Sequence, residues 1–348
     1  MNKFNTKYKP AIKTVSKFIT SILTDKRVPL YVGLFITEVC NLKCIYCFPN
    51  SPNRKVKDLS KEEIFKIVDE LYLLGTRYIT ILGGEPLIRK DFGEIVDYIT
   101  QKGIMAEVGT NGYFTNARLN DLKKLYLVCH SIDGDEEGHD TNRGKGSFKK
   151  IIESLIVCKE NNISFQMRAV FNKNNVHCLE YLLKLSKELG TSLALAEQAV
   201  VKEEDKEYVL TSQEARDFWI KVREYKKQGY RIDKSFTLLD KIINYPVDIP
   251  YDKIFKKGDA IPSNGDFPQC NLNRGYCFID TDGFMYPCAT LFGKFGKNIF
   301  EVGVKNAWEY LEEKECIFCR QSIQDLKSYF FSRDFKSLLV AARNFLSK

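Results

Sequence analysis

The strongest constraint on the fold is an alternation that runs from Tyr31 to about residue 225. Short runs rich in β-branched and aromatic residues take turns there with longer stretches whose apolar residues recur at helical spacing. The strand-like runs are Tyr31 to Thr37, Tyr78 to Leu82, Met105 to Gly109, Leu127 to Ile132, Ser164 to Val170 and Ser192 to Ala199. The helical stretches begin near Ser60, Phe92, Asn116, Ser147, Val176 and Thr211, and Ser60 with Glu63 three residues on forms a capping-box pattern. Strands joined by such helices run parallel with right-handed crossovers, so this α/β segment folds as a doubly wound sheet or as a full or partial (β/α) barrel. In either case chemistry belongs at the C-terminal ends of the strands, where the connecting loops gather.

Composition narrows the class. Hydrophobic residues make up 44% of the 348, which excludes disorder as the main state. No run approaches the ~20 apolar residues that cross a bilayer, and the basic N-terminus lacks a signal peptide's apolar block. A cytoplasmic protein is expected, and a net charge of +8 is too mild to suggest a nucleic-acid partner. The eleven cysteines are an odd number without an export signal, which argues against a disulfide framework and for metal or redox chemistry. Three lie at Cys40, Cys44 and Cys47 and five between Cys270 and Cys319, so two sites are suggested. Cys129, Cys158 and Cys178, scattered between, read as half-buried thiols that pack as small hydrophobes.

The βα rhythm stops at residues 228–265, where Pro246, Pro250, Gly258, Pro262 and Gly265 mark a linker or lid. Residues 266–320 carry the second cysteine group around a hairpin-like run from Cys277 to Pro287 that turns at Asp282-Gly283. Residues 1–29 and 321–348 read as basic amphipathic helices, at Lys3 to Lys26 and Leu326 to Lys348. The expected organisation is therefore a terminal helix, a core at 30–227, the linker, a metal-stapled unit at 266–320 and a second terminal helix.

The first strand runs straight into Cys40-Asn-Leu-Lys-Cys44-Ile-Tyr-Cys47. Three soft ligands at this spacing suit an iron-sulfur cluster better than structural zinc, which favours two separated ligand pairs. With three local cysteines, one iron of a 4Fe-4S cube stays open to bind something else, the mark of a reactive centre.

This loop, with Tyr46 just before its last cysteine, resembles the signature of the radical S-adenosylmethionine (radical SAM) enzymes, whose core is a partial (β/α)6 barrel. The resemblance implies that the open iron chelates the amino and carboxylate groups of S-adenosylmethionine. Reductive cleavage then gives a 5′-deoxyadenosyl radical that abstracts hydrogen from a substrate. Further motifs follow in the family's order. Gly83-Gly84-Glu85-Pro86 at the end of the second strand is similar to the family's GGEP, which binds the methionyl amino group; Glu85 offers an anionic acceptor for an ammonium. Gly109-Thr-Asn111-Gly112 follows the third strand, and Ser131-Ile-Asp133-Gly134, His139-Asp140 and Arg143-Gly144 follow the fourth. By the resemblance Tyr46, Ser131, Asn111 and Asp133 line the cofactor, and Arg168 on the fifth strand meets its carboxylate. His139 reads as a structural loop residue, and no general base is identifiable.

The second group, Cys270-x12-Gly283-x4-Cys288 followed by Cys316-x2-Cys319, offers four thiolates on two arms, which structural zinc could also use. It resembles the family's twitch and SPASM auxiliary-cluster domains, and no cysteine follows Cys319 to complete a SPASM unit. The resemblance implies one auxiliary 4Fe-4S cluster on Cys270, Cys288, Cys316 and Cys319, with Cys277 as the alternative to Cys270. Such a cluster suits oxidation of a substrate radical. The family's precedents are peptide maturases, small-molecule dehydrogenases such as the one acting on 2-deoxy-scyllo-inosamine, and nucleotide-rearranging enzymes. A flavodoxin- or ferredoxin-type reductant is implied, with a small-molecule or peptide substrate. Against a dedicated ribosomal-peptide maturase, the residues before 30 leave no room for the leader-recognition domain that many of them carry, though a stand-alone recognition protein could supply it. A lipid or isoprenoid substrate at a membrane surface, touched by the basic terminal helices, is the alternative. An electron carrier or zinc-stapled binding module is the non-enzymatic one.

Overall fold

A computed structural model describes Ser16, Thr20 and residues 26–49, 54–250, 252–260 and 270–320. Apart from Ser16, Thr20 and Lys26, the two amphipathic terminal helices lie outside the described residues. Arg27, next to the first of them, is turned to protein. Its guanidinium donates to the Asn273 carbonyl at 2.8 and 3.1 Å and lies 4.8 Å above the Trp308 ring.

All six expected strands form: β1 (Tyr31–Phe35), β2 (Tyr78–Leu82), β3 (Met105–Thr110), β4 (Leu127–Ser131), β5 (Phe165–Phe171) and β6 (Leu193–Glu197). They pair in parallel in chain order. The helices between them are α1 (Lys61–Leu74), α2 (Phe92–Gln101), α3 (Leu119–Leu122), α4 (Glu136–Arg143), α5 (Ser147–Glu160) and α6 (Leu179–Leu189), with α7 (Ser212–Lys227) after β6. The capping box at Ser60 is made, with Glu63 N donating to Ser60 Oγ at 3.2 Å and Ser60 N to the Glu63 carboxylate at 2.7 Å. Period-two alternation sorts the strand faces. Val32, Leu34, Ile79, Ile81 and Val108 meet the apolar stripes of α1 and α2 in one core, while Tyr31, Tyr78, Thr80, Glu107 and Arg168 turn the other way and bond to one another in the barrel interior.

Helix α4 has no counterpart in the sequence reading, which runs from the fourth strand to Ser147 through a loop. Asp135 caps it, accepting from Gly138 N at 3.0 Å. The stretch at 228–265 also contains elements. Helix α8 (Phe236–Ile243) buries Leu238, Leu239 and Ile242 against Phe218, Trp219 and Val222 of α7, and β7 (Ile254–Lys256) follows.

The C-terminal hairpin joins the barrel sheet. Strands β8 (Tyr276–Ile279) and β9 (Phe284–Tyr286) are antiparallel and turn at Gly283, whose φ of 84° lies in the left-handed region that glycine tolerates. β8 also pairs in parallel with β1, Tyr276 opposite Tyr31 and Ile279 opposite Leu34. With β10 (Lys297–Asn298) the order becomes β10-β9-β8-β1-β2-β3-β4-β5-β6, so β10 and β6 are the two edges and the barrel is partial. Helix α9 (Val304–Tyr310) adds Val304, Ala307 and Trp308 to the core over β1 and β8. Strand β11 (Cys316–Cys319) pairs with β7 in a separate two-stranded sheet. Among the described residues no helix is long and apolar enough to cross a membrane.

Candidate active site

Cys40, Cys44 and Cys47 sit half-buried on the loop that leaves the C-terminal end of β1. Two neighbours fix where that loop starts. The Asp58 carboxylate accepts from Thr37 Oγ1 at 2.6 Å and from Glu38 N at 2.7 Å. The turn after β2 lies flat against it, Gly84 N donating to Thr37 O at 2.7 Å and Glu85 N to Val39 O at 2.8 Å. A Cβ on Gly83 would stand 2.6 Å from Thr37 O, and one on Gly84 would overlap the Val39 carbonyl, so this contact needs both glycines.

Glu85 is buried and committed within the protein. Its carboxylate accepts from Leu87 N at 3.1 Å, Thr110 Oγ1 at 2.9 Å and Asn111 N at 2.7 Å, while burial pushes its carboxyl up to about 7. The side chain thus ties the β2 turn to the end of β3. Pro86 opens the one-turn helix that Glu85 caps. Asn111 reaches into the cysteine loop, its Nδ2 donating to Asn41 Oδ1 at 2.9 Å.

A second knot fastens the loop's far half. Asp133 is fully buried and accepts from Tyr46 OH, from Arg143 Nε at 2.6 Å and from Val170 N at 3.1 Å. The Arg143 guanidinium lies 5.4 Å above the Tyr46 ring and 4.0 Å from Cys44 Sγ, and Ile45 N donates to the Asn142 carbonyl at 3.0 Å. Tyr46 and Asp133, read from the sequence as cofactor contacts, are thereby turned toward each other and toward α4. Arg143 has no role assigned by its sequence motif; helix α4, capped by Asp135, carries it to Asp133. His139 lies on helix α4 and not in the loop expected from the sequence. Its Nδ1 accepts from Asp133 N at 3.1 Å, and burial pushes its pKa down to about 4, so the ring is neutral.

Inside the barrel, Ser131 is half-buried at the end of β4 and stands in register with Arg168. Arg168 Nη2 lies 2.9 Å from Glu107 Oε1. The carboxylate it meets is therefore an internal one, which also accepts from Tyr78 OH at 2.5 Å and Thr80 Oγ1 at 3.1 Å. Glu107 has no signal in the sequence, because the pair closes only across the barrel.

The second thiol group is also assembled. Cys270, Cys288, Cys316 and Cys319 are half-buried; Cys270 and Cys288 pack against the same aromatic cluster, and Cys316 and Cys319 are the two ends of β11. Cys270 N donates to the Ile317 carbonyl at 2.6 Å, joining the two arms, and Lys314 Nζ lies 3.7 Å from Cys316 Sγ. Cys277 is excluded from this group: opposite Val32 in the β1–β8 register, it is fully buried in the helix-facing core. Cys129, Cys158 and Cys178 are fully buried, where the sequence suggested half-buried thiols.

An aromatic wall of Phe35, Phe48, Phe278, Tyr286 and Phe292 stands between the first cysteine loop and the hairpin, with Cys270 and Cys288 packed against it. A polar clasp bridges the same elements, Arg54 meeting Glu38 at 3.3 Å and Asp280 at 2.8 Å.

Both thiol sets fit iron-sulfur chemistry by donor type. Burial pushes Cys40 and Cys270 up to about 11 and raises Cys44 and Cys288 as well. Such thiols stay protonated at neutral pH until a metal cation takes the proton's place.

Comparison with known proteins agrees with this geometry. Residues 34–186 match the Radical SAM superfamily. The chain is 26% identical over 331 residues to mycofactocin maturase MftC of Mycolicibacterium smegmatis, covering 87% of this chain and 76% of that one. It is 35% identical over 158 residues to Fe-coproporphyrin III synthase of Methanosarcina barkeri, which covers 44% of this chain and 40% of that protein. SuiB of Streptococcus suis, solved with its precursor peptide SuiA, superposes with a TM-score of 0.65 at 19% identity, over 85% of this chain and 68% of that one. The structure of anSMEcpe with AdoMet and a Cp18Cys peptide superposes with a TM-score of 0.64 at 18% identity, over 91% and 99%. At those identities the likeness is one of fold. Residues 34–186 thus form a radical SAM domain, and that family implies S-adenosylmethionine and a 4Fe-4S cluster.

Proposed function

We propose that this radical SAM enzyme carries out oxidative maturation of a peptide, using a cluster on Cys40, Cys44 and Cys47 and an auxiliary 4Fe-4S cluster on Cys270, Cys288, Cys316 and Cys319. The observation that carries the reading is the first cysteine loop, held at the C-terminal end of β1 by the Gly83-Gly84 contact on one side and by Asp133 with Arg143 on the other. Bound there, the cluster and S-adenosylmethionine supply a one-electron reductive cleavage to methionine and a 5′-deoxyadenosyl radical that takes a hydrogen atom from substrate. The chain's own residues hold the thiols in place, and Ser131 and Asn111 stand at the C-terminal ends of β4 and β3, where the cofactor would lie. The second thiol group supports the oxidative half, since a further cluster supplies an acceptor for the electron that a deprotonated substrate radical gives up. A peptide is favoured by MftC, whose name is that of a maturase, and by the peptide-bound SuiB and anSMEcpe structures. A small-molecule dehydrogenase is the second reading, favoured by the four-cysteine pattern that ends at Cys319. An external one-electron reductant of flavodoxin or ferredoxin type belongs to either.

The test is Cys44→Ala after anaerobic cluster reconstitution. With dithionite and S-adenosylmethionine, the wild-type protein forms 5′-deoxyadenosine, and the variant, folded by circular dichroism, forms none. Cleavage retained in Cys44→Ala removes the first cluster from the proposal.

A further inference from the structure

The sheet edges β6 and β10 do not pair with each other. Val200 to Glu203 and Lys206 follow β6, Thr290 and Lys294 follow β9, and Asp252 to Ile254 lead into β7. Together with Cys319 and Arg320 they line one cleft of about 180 Å³. That volume admits one or two side chains. The cleft therefore opens between the barrel edge and an auxiliary thiol, where a substrate segment reaching the barrel would lie.

Its lining is predominantly cationic. Lys202, Lys206, Lys253, Lys294 and Arg320 face two carboxylates, Glu203 and Asp252. Both of those carboxylates are satisfied by one lysine, Lys206 Nζ lying 3.1 Å from each. Arg320 is held at 3.0 Å by the buried Glu197 and keeps its place beside Cys319. Lys202, Lys253 and Lys294 remain to meet an incoming group; among the described residues the one ion pair they make, Lys253 with Asp259 at 3.3 Å, is largely exposed on both sides and weakly held.

Building on the peptide reading, we infer that this cleft is a recognition site for carboxylate side chains, so that the substrate is a peptide with an acidic segment beside its modified residue. Lys202, Lys253 and Lys294 are specificity-determining residues, and Arg320 is a positioning residue that fixes the cleft wall at Cys319.

The experiment uses the full chain and a fluorescein-labelled decapeptide of alternating Glu and Ser, with its Gln and Ser counterpart as control, read by anisotropy at about 50 mM salt, where surface charges act over longer range. The acidic peptide binds at least about tenfold more tightly than the neutral one, a preference worth about 1.4 kcal/mol. The combined variant Lys202→Ala, Lys253→Ala, Lys294→Ala loses that preference. A variant of exposed lysines on the outer face, Lys66→Ala, Lys123→Ala, Lys149→Ala, keeps it. Equal binding of the two peptides overturns the inference, and so does a preference that the outer-face variant loses as fully as the cleft variant. Formation of 5′-deoxyadenosine by the wild-type protein without any peptide tests the radical reading separately, so either can fail alone.

Discussion

Asp133 illustrates how single residues hold this site. A carboxylate taken wholly out of water is tolerable only when charge and hydrogen bonds compensate it, and Arg143, Tyr46 and Val170 N supply both. Arg143→Ala leaves that carboxylate unpaired and should lower stability by about 3–5 kcal/mol in urea denaturation, whereas a loss under about 1 kcal/mol would mean the knot is not what holds the loop. Buried titratable groups make a second prediction. Burial pushes His130 down to about 3 and His139 to about 4, so their contribution to stability is present above pH 6.5 and is lost as pH falls toward those values. Glu85, raised from 4.5 to about 7, works the other way: its contribution is full below pH 4.5 and is lost as pH rises through 7. Between pH 6.5 and 4.5 the three groups therefore leave a net uptake of one proton on unfolding, and acid destabilises the fold. His130→Gln, which can keep the contact to Ser154 Oγ, removes one of those protons. Its stability profile across that window should be shallower than wild type by about 1.4 kcal/mol per pH unit, measured by thermal denaturation; an unchanged slope would contradict a neutral, buried His130.

Among the elements, β1 matters most, because it lies between β2 and β8 and so joins the barrel to the hairpin. Its pairing with β8 decides the role of Cys277, which shares Val32's face and points away from the other four thiols. Cys316→Ala should then lower iron by about four per reconstituted chain, the content of one 4Fe-4S cube, while Cys277→Ala leaves iron unchanged. Iron lost from the Cys277 variant instead would reverse the assignment. The six βα units were legible in the sequence because each carries an apolar stripe or alternation that its neighbours require. Helix α4 was not, since Glu136 to Arg143 has no apolar stripe and buries His139, Asn142 and Arg143 in its place. Helix α8 was hidden by its length of eight residues and by Pro246 and Pro250 just beyond it. The cysteine groups could be read from spacing, but the internal commitments of Glu85, Asp133 and Arg168 could not. Each depends on a partner brought in by another strand or helix, and a motif names the residue without naming what it faces.

For the whole molecule, the partial barrel places two thiol groups on either side of one aromatic wall, with the cationic cleft beside the second. In the two-cluster proposal this arrangement would separate a site where a hydrogen atom is taken from one where an electron is received, while Arg54 clasps the two loops together. The measurement that tests this most directly is anaerobic reconstitution followed by iron and sulfide analysis, then addition of dithionite and S-adenosylmethionine with detection of 5′-deoxyadenosine. The two-cluster reading predicts about eight irons per chain together with cleavage. About four irons with cleavage would contradict the auxiliary cluster, and intact clusters without cleavage under any reductant would contradict the radical chemistry itself.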